Sequence, residues 1–227
     1  MPHGPHNAGA YTKLAPAHAQ ANIDTMTKRQ PKPVQVPVPS PLEETSLTGQ
    51  LLIAMPAMDN PTFAHSVILL CAHTSEGAMG IVLNQPLAKP SFDLLLEQLD
   101  VKPVPPARQI QLCQGGPVDH GRGFVLHTSD WVSDGSLRVD DRLALTASLD
   151  VLQEIAKGGG PKKGLLALGY SSWGPGQLDR EMQDNVWLSA PAMIDLLFDA
   201  DHETKWRRAM AILRVDPLAL SQVAGRA

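Results

Sequence analysis

Ser66-Val67-Ile68-Leu69-Leu70-Cys71-Ala72-His73-Thr74-Ser75-Glu76-Gly77-Ala78-Met79-Gly80-Ile81-Val82-Leu83-Asn84 holds two apolar runs around a short polar linker. Each run is too short for an average helix and is rich in branched side chains, so both read as buried strands, 66–72 and 78–84. The linker His73–Gly77 is short enough to join them as a hairpin. Upstream, Leu51–Met55 is another apolar run, stopped by Pro56, and reads as a third strand. Downstream, Phe92, Leu95, Leu96 and Leu99 recur at helical spacing. Further strands fit 109–113, 123–127, 143–146 and 165–168. Helices are expected at 149–157 with Ser148 as cap, at 175–184, at 191–198 with Pro191 in the first position, and at 203–215. Asp216-Pro217 restarts a short final helix. Adjacent strands early and helices late argue for an α+β fold over a regular βαβ repeat.

The hairpin region contrasts with the start of the chain. Eight of the twenty prolines fall in residues 1–44, which lack Phe and Trp and show no periodicity. Pro31-Lys32-Pro33-Val34-Gln35-Val36-Pro37-Val38-Pro39-Ser40-Pro41 favours extended backbone. Residues 1–44 are therefore expected to be a disordered leader and 45–227 a single domain. The leader has no apolar stretch suited to a signal peptide, and Met26 offers a second start. The leader carries a net charge of +1 and the remainder −5, within a chain of 227 residues and net charge −4. An acidic domain lacks the electrostatic footprint of direct DNA binding. Two cysteines, Cys71 and Cys113, make no disulfide scaffold and suit a reducing compartment, and no apolar run is long enough to span a membrane. A cytoplasmic protein is expected.

Four segments carry more Gly, His, Trp and amide groups than a plain core needs. Cys71 and His73, two apart on a strand, would share a face and could pair as thiolate and imidazole or ligate a metal. A buried thiol beside a turn histidine is the weightier reading, and no metal is expected. Gly115-Gly116 could present backbone amides to an anion with Arg122 adding charge, against a plain Gly-Gly-Pro turn. His127 ends a strand, where a histidine satisfied by backbone is the default. Tyr170, Ser171, Ser172 and Trp173 precede a helix on which Gln177, Glu181 and Asn185 recur every fourth residue as a polar column. Ser171 and Ser172 invite a nucleophile reading, but the G-x-S-x-G elbow is absent. Lys205-Trp206-Arg207-Arg208 could contact phosphate or a base, though a surface helix with its tryptophan turned inward fits better.

Taken in order, these segments resemble the AlgH/YqgE family, described as bacterial transcriptional regulators of unknown biochemistry. The resemblance rests on Leu47–Ala54, Met58–Phe63, His73–Gly80 with Asn84, Gly115-Gly116-Pro117-Val118 and Gly123–His127. It continues through Gly169-Tyr170, Trp173, Gly176-Gln177-Leu178, Glu181, Asn185, Trp187, Phe198 and Trp206. Ser172 stands where the family often has Gly, and Asp179 where it often has Glu. The resemblance implies an AlgH-like fold, a bifurcated, partly barrel-like sheet surrounded by helices, and carries no established active site or cofactor. The leading expectation is a regulator acting indirectly through a protein or nucleotide ligand, not a dedicated enzyme. The alternative is a small-molecule or nucleotide-binding enzyme whose cleft is formed by His73, Asn84, Gly115-Gly116, Trp173 and Gln177. Arg122, His127, Tyr170, Glu181 and Asn185 complete the candidate set. Thiol regulation through Cys71 or Cys113 is a third possibility.

Overall fold

Hydrogen bonding along the 66–84 stretch builds the first hairpin of a curled sheet, and the chain adds strands to both of its edges. The computed structural model describes residues 46–104, 108–216 and 220. The expected leader lies outside these residues, as does most of the final helix expected after Asp216. The elements are β1 (Gln50–Ala54), β2 (Val67–Thr74), β3 (Gly77–Val82), α1 (Phe92–Gln98), β4 (Gln111–Gln114), β5 (Val118–Thr128) and β6 (Leu137–Arg138). They continue with β7 (Leu143–Thr146), α2 (Asp150–Ala156), β8 (Gly164–Trp173), α3 (Gln177–Gln183), β9 (Trp187–Pro191), α4 (Ile194–Leu197) and α5 (His202–Ile212). The result is an α+β fold, a curled half-barrel of mostly antiparallel strands with helices packed on it.

The strand order is β6-β7-β5-β8-β3-β2-β1-β9, with β4 also paired to β8. Strand β8 is where the sheet divides. Its first half, Leu165–Leu168, pairs in parallel with β4, while its last residues, Ser171–Trp173, pair antiparallel with β3. Strand β5 lies along its other edge. The fork needs close backbone approach, and glycine supplies it. A Cβ on Gly115 would lie 2.3 Å from the Gly169 carbonyl oxygen, and one on Gly169 would lie 2.8 Å from the Gly116 oxygen.

Both faces of β2 are buried, which explains its nearly unbroken apolar run. One face joins a core of Leu51, Ile53, Leu69, Ile81, Leu126, Leu197 and Met210, shared by β1, β2, β3, β5, α4 and α5. The other meets Leu178 of α3 and the rings of Trp173 and Trp187. A separate cluster packs α1 and α2 against Val125 and Leu166.

The structure corrects several expectations. Pro191, expected to open a helix over 191–198, is instead the last residue of a strand over 187–191, and the helix covers only Ile194–Leu197: Gln50 pairs with Pro191 and Ala54 with Trp187. Pro191 closes a terminal strand, where its missing N–H costs least. Ser148 does not cap α2; Leu149 stands at that position, and the Ser148 hydroxyl is buried without a hydrogen bond among the described residues. Strand β8 runs on to Trp173, so α3 starts later than expected. Cys71 and His73 do not share a face. The pairing register shifts between Leu70 and Ala72, and that bulge reverses the alternation of the strand. Cys71 joins the core beside Leu69, whereas His73 turns toward Asp179 of α3.

Helix α5 sets its inner face by i, i+4 spacing, with Lys205 above Ala209 and Trp206 above Met210, all buried. The Trp206 indole donates to the Ala54 carbonyl at 2.8 Å, which ties α5 to β1. The buried Lys205 ammonium donates to the carbonyls of Leu197 and Asp199, both at 3.0 Å, and so closes the end of α4. Lys205→Met keeps the stem and removes both donors. It is expected to lower unfolding free energy by about 2 kcal/mol in urea titrations, because two carbonyls lose their partner. An unchanged midpoint would show that water replaces the ammonium.

Candidate functional site

The expected single cleft separates into distinct places. His73, Trp173, Gln177 and Glu181 gather at α3. Glu181 Oε2 accepts from the indole nitrogens of Trp173 at 2.9 Å and Trp187 at 2.7 Å. Its other oxygen accepts from Gln177 Nε2 at 2.8 Å, and Gln177 Oε1 accepts from the Gly174 amide. His73 accepts from the Leu47 amide through Nδ1, while Nε2 lies 3.5 Å from Asp179. Every polar group in this assembly meets another, and two nearly buried rings depend on one carboxylate. The arrangement is a clamp that seats α3 on the sheet.

Asn185 leaves the polar column. Helix α3 ends at Gln183, and Asn185 adopts a left-handed backbone with φ 55°. Its amide donates to Met182 and the next amide, Val186, donates to Glu181, the double bond pattern that terminates a helix. Asparagine suits this position because its short polar side chain tolerates positive φ.

Gly115, Gly116 and Tyr170 sit at the fork of the sheet. The Gly115 amide donates to the Leu168 carbonyl and so does not face an anion. Arg122 lies over the Phe124 ring, 5.3 Å from its centre, and Phe124 meets Tyr170 edge to face. His127 is buried toward the far end of β5. Its Nδ1 donates to the Thr128 carbonyl at 2.9 Å, so Nε2 accepts from Thr146 at 2.8 Å, and Thr146 in turn meets Ser136. Ser171 is buried in β8 with no hydrogen bond among the described residues, so it has no base to activate it. Burial pushes the thiols of Cys71 and Cys113 up to about 12, which keeps both protonated at neutral pH.

Asn84 lies elsewhere. Its Oδ1 accepts from the Val67 amide and its Nδ2 donates to the His65 carbonyl. His73 is six residues along β2 from Val67, which places it roughly 20 Å away. Around Asn84 opens a cleft of about 380 Å³ lined by His65, Gln85, His202, Glu203, Trp206 and Arg207. That volume suits a small molecule. The loop before β2 supplies His65, whose left-handed backbone (φ 55°) seats its ring edge to face on Trp206, with centres 4.5 Å apart. Gln85 follows β3 and donates to the Thr62 carbonyl. Helix α5 supplies the rest, and His202 Nδ1 donates to the Leu83 carbonyl at 3.2 Å. That bond fixes the tautomer and leaves Nε2 as an acceptor for the cleft.

Sequence reading found Asn84 and considered Trp206 and Arg207, but missed His65, Gln85, His202 and Glu203. No motif spacing links residues so far apart in the chain. Among the described residues, no group of three or more His, Cys, Asp or Glu side chains is arranged to hold a metal. No described helix is long and apolar enough to cross a membrane.

Burial holds the imidazoles of His127 and His202 below the usual histidine value, and for His202 the Lys205 charge adds to this. The folded state therefore favours the neutral rings, while the unfolded chain takes up protons below about pH 6.5. Their stabilising contribution is complete above that value and declines as pH falls toward the folded pKa. Urea titrations are expected to show lower stability at about pH 5.5 than at about pH 7.5, with a smaller difference in His127→Gln. An equal pH dependence in the variant would remove His127 from this account.

The AlgH-like family model (DUF179) matches residues 51–218, which include the fork, the clamp and the cleft. The chain belongs to the AlgH-like family. The UPF0301 protein GOX1459 of Gluconobacter oxydans is 50% identical over 186 residues, covering 81% of this chain and all of that one. A UPF0301 protein of Rhodospirillum rubrum is 52% identical over 184 residues, covering 81% and 96% of the two chains. Among solved structures, the AlgH protein of Pseudomonas aeruginosa shares 43% identity at a TM-score of 0.64, with 84% of this chain and 97% of that chain covered. Protein DIP2367 of Corynebacterium diphtheriae is more distant, at 27% identity and a TM-score of 0.58, covering 75% and 89%. The half-barrel is thus the AlgH-like architecture.

Proposed function

We propose that this AlgH-like protein is a cytoplasmic transcriptional regulator that acts indirectly, through a protein or nucleotide ligand, and does not read DNA itself. The observation that carries this reading is the cleft at Asn84, which joins the end of the first hairpin to α5. A ligand seated there touches the loop before β2, the segment after β3 and α5 together, and so can bias how they pack. The acidic charge of residues 45–227 supports the indirect route, since phosphate contacts need a cationic surface. The dispersal of His73, Asn84, Gly115-Gly116 and Gln177 takes away the shared cleft that the enzyme alternative requires.

Native mass spectrometry of the protein freshly isolated from cells tests the proposal. A retained small molecule or partner chain is the expected result. A sequence-selective DNA complex at submicromolar protein, weakened by salt, would overturn it.

A further inference from the structure

Glu203 and Arg207 lie one turn apart on the exposed face of α5, in the order that favours an intrahelical ion pair. Yet among the described residues neither has an ion-pair partner, whereas the neighbouring Arg208 pairs with Asp199. Both uncommitted groups line the cleft. The cleft therefore offers one guanidinium, suited by its fork of donors to a phosphate or carboxylate. It also offers an excess of acceptors. His202 Nε2 is one, the Glu203 carboxylate a second, and the Gln85 carbonyl oxygen a third, since the Gln85 amide nitrogen is engaged by Thr62.

We propose that the cleft binds a ribosyl phosphate, with Arg207 on the phosphate and Glu203 and His202 accepting hydrogen bonds from the ribose hydroxyls. Three acceptors beside one cation call for a ligand with several neutral donors and a single anionic end. A phosphorylated ribose meets that demand, and a carboxylate accepting from ribose hydroxyls is a recurrent way to hold the sugar. A free amino acid would satisfy Arg207 and Glu203 but leave His202 Nε2 without a donor. The cleft volume of about 380 Å³ accommodates the sugar phosphate with or without an attached base. The chemistry is shared by nucleoside monophosphates and free sugar phosphates. This inference rests on the reading of the cleft as an effector site and specifies what it takes.

Isothermal titration of the full chain tests it with adenosine 5′-monophosphate, ribose 5-phosphate, adenosine, inorganic phosphate and glycine. Both ribosyl phosphates binding alike identifies the sugar phosphate as the recognised unit. Tighter binding of the nucleotide shows that a base adds contacts. Either result supports the proposal if Arg207→Gln weakens affinity by about tenfold or more and Glu203→Gln by a smaller factor. Both side chains are exposed, and urea titration of each variant checks that folding is unchanged. The imidazole nitrogen shifts of His202 should also move on binding, because Nε2 gains a donor. Inorganic phosphate or glycine binding as tightly as ribose 5-phosphate would overturn the proposal, as would full affinity in Arg207→Gln. If no ribosyl phosphate binds while native mass spectrometry still finds a retained ligand, the ligand class fails and the effector reading stands.

Discussion

Glu181→Ala is expected to lower unfolding free energy by about 2–4 kcal/mol, because two indole donors and one amide lose a common acceptor. Trp173 is 6% exposed and Trp187 2%, so water reaches neither nitrogen easily. Hydrogen bonds to a charged acceptor also contribute more than neutral ones. Glu181→Gln keeps one oxygen for an indole but turns a donor toward the other groups, and should fall between the wild type and alanine. Urea titration followed by tryptophan fluorescence reads the effect twice, as a lower midpoint and as a red-shifted native spectrum. A loss below about 0.5 kcal/mol would mean that the two rings hold their places by packing alone.

Gly116→Ala should be more damaging, with a loss of more than about 4 kcal/mol or no soluble protein at all. The added Cβ would lie 2.3 Å from the Tyr170 carbonyl carbon, 2.4 Å from its oxygen and 2.5 Å from the Ser171 nitrogen. All three are backbone atoms of β8, so no rotamer change relieves the contact. The backbone at Gly116 also has φ 152°, which disfavours a side chain. Gly135→Ala separates the two causes. It too has positive φ (86°), but nothing lies within 4 Å of its added Cβ. It should lose only about 1–2 kcal/mol. Equal losses at the two sites would assign the damage to conformation and not to the crowded fork.

Much of this architecture is written in local pattern. The hairpin over 66–84 is legible because its apolar runs and polar linker lie within one short window, and α1 because Phe92, Leu95 and Leu96 repeat at helical spacing. Other features depend on partners distant in the chain. Strand β9, Trp187-Leu188-Ser189-Ala190-Pro191, has no apolar run or alternation long enough to announce it, and its pairing with β1 makes it a strand. The bulge at Cys71 is set by pairing to β3, and it alone moves His73 to the opposite face. Several candidate residues serve the fold itself: Glu181 clamps α3 to the sheet, Asn185 ends a helix, and Gly115 and Gly116 admit a crossing strand. The cleft was least legible. His65, Asn84 and His202 meet only because β1, β3 and α5 fold together, and neither composition nor spacing encodes that meeting.

The position of β8 has a consequence for synthesis in the cell. Strand β3 leaves the ribosome with one edge waiting for Ser171–Trp173, about 90 residues later in the chain. At ordinary elongation rates that interval is roughly 5–20 s. During it the first hairpin, apolar on both faces, has neither its inner helices nor its neighbouring strand. A nascent chain of this protein should therefore engage holding chaperones from the completion of β3 until β8 emerges, then release them within a short further stretch of translation. Ribosome profiling of chaperone-bound nascent chains would place that window downstream of the codons for Val82 and Trp173, each limit offset by the length of chain held in the ribosomal exit tunnel.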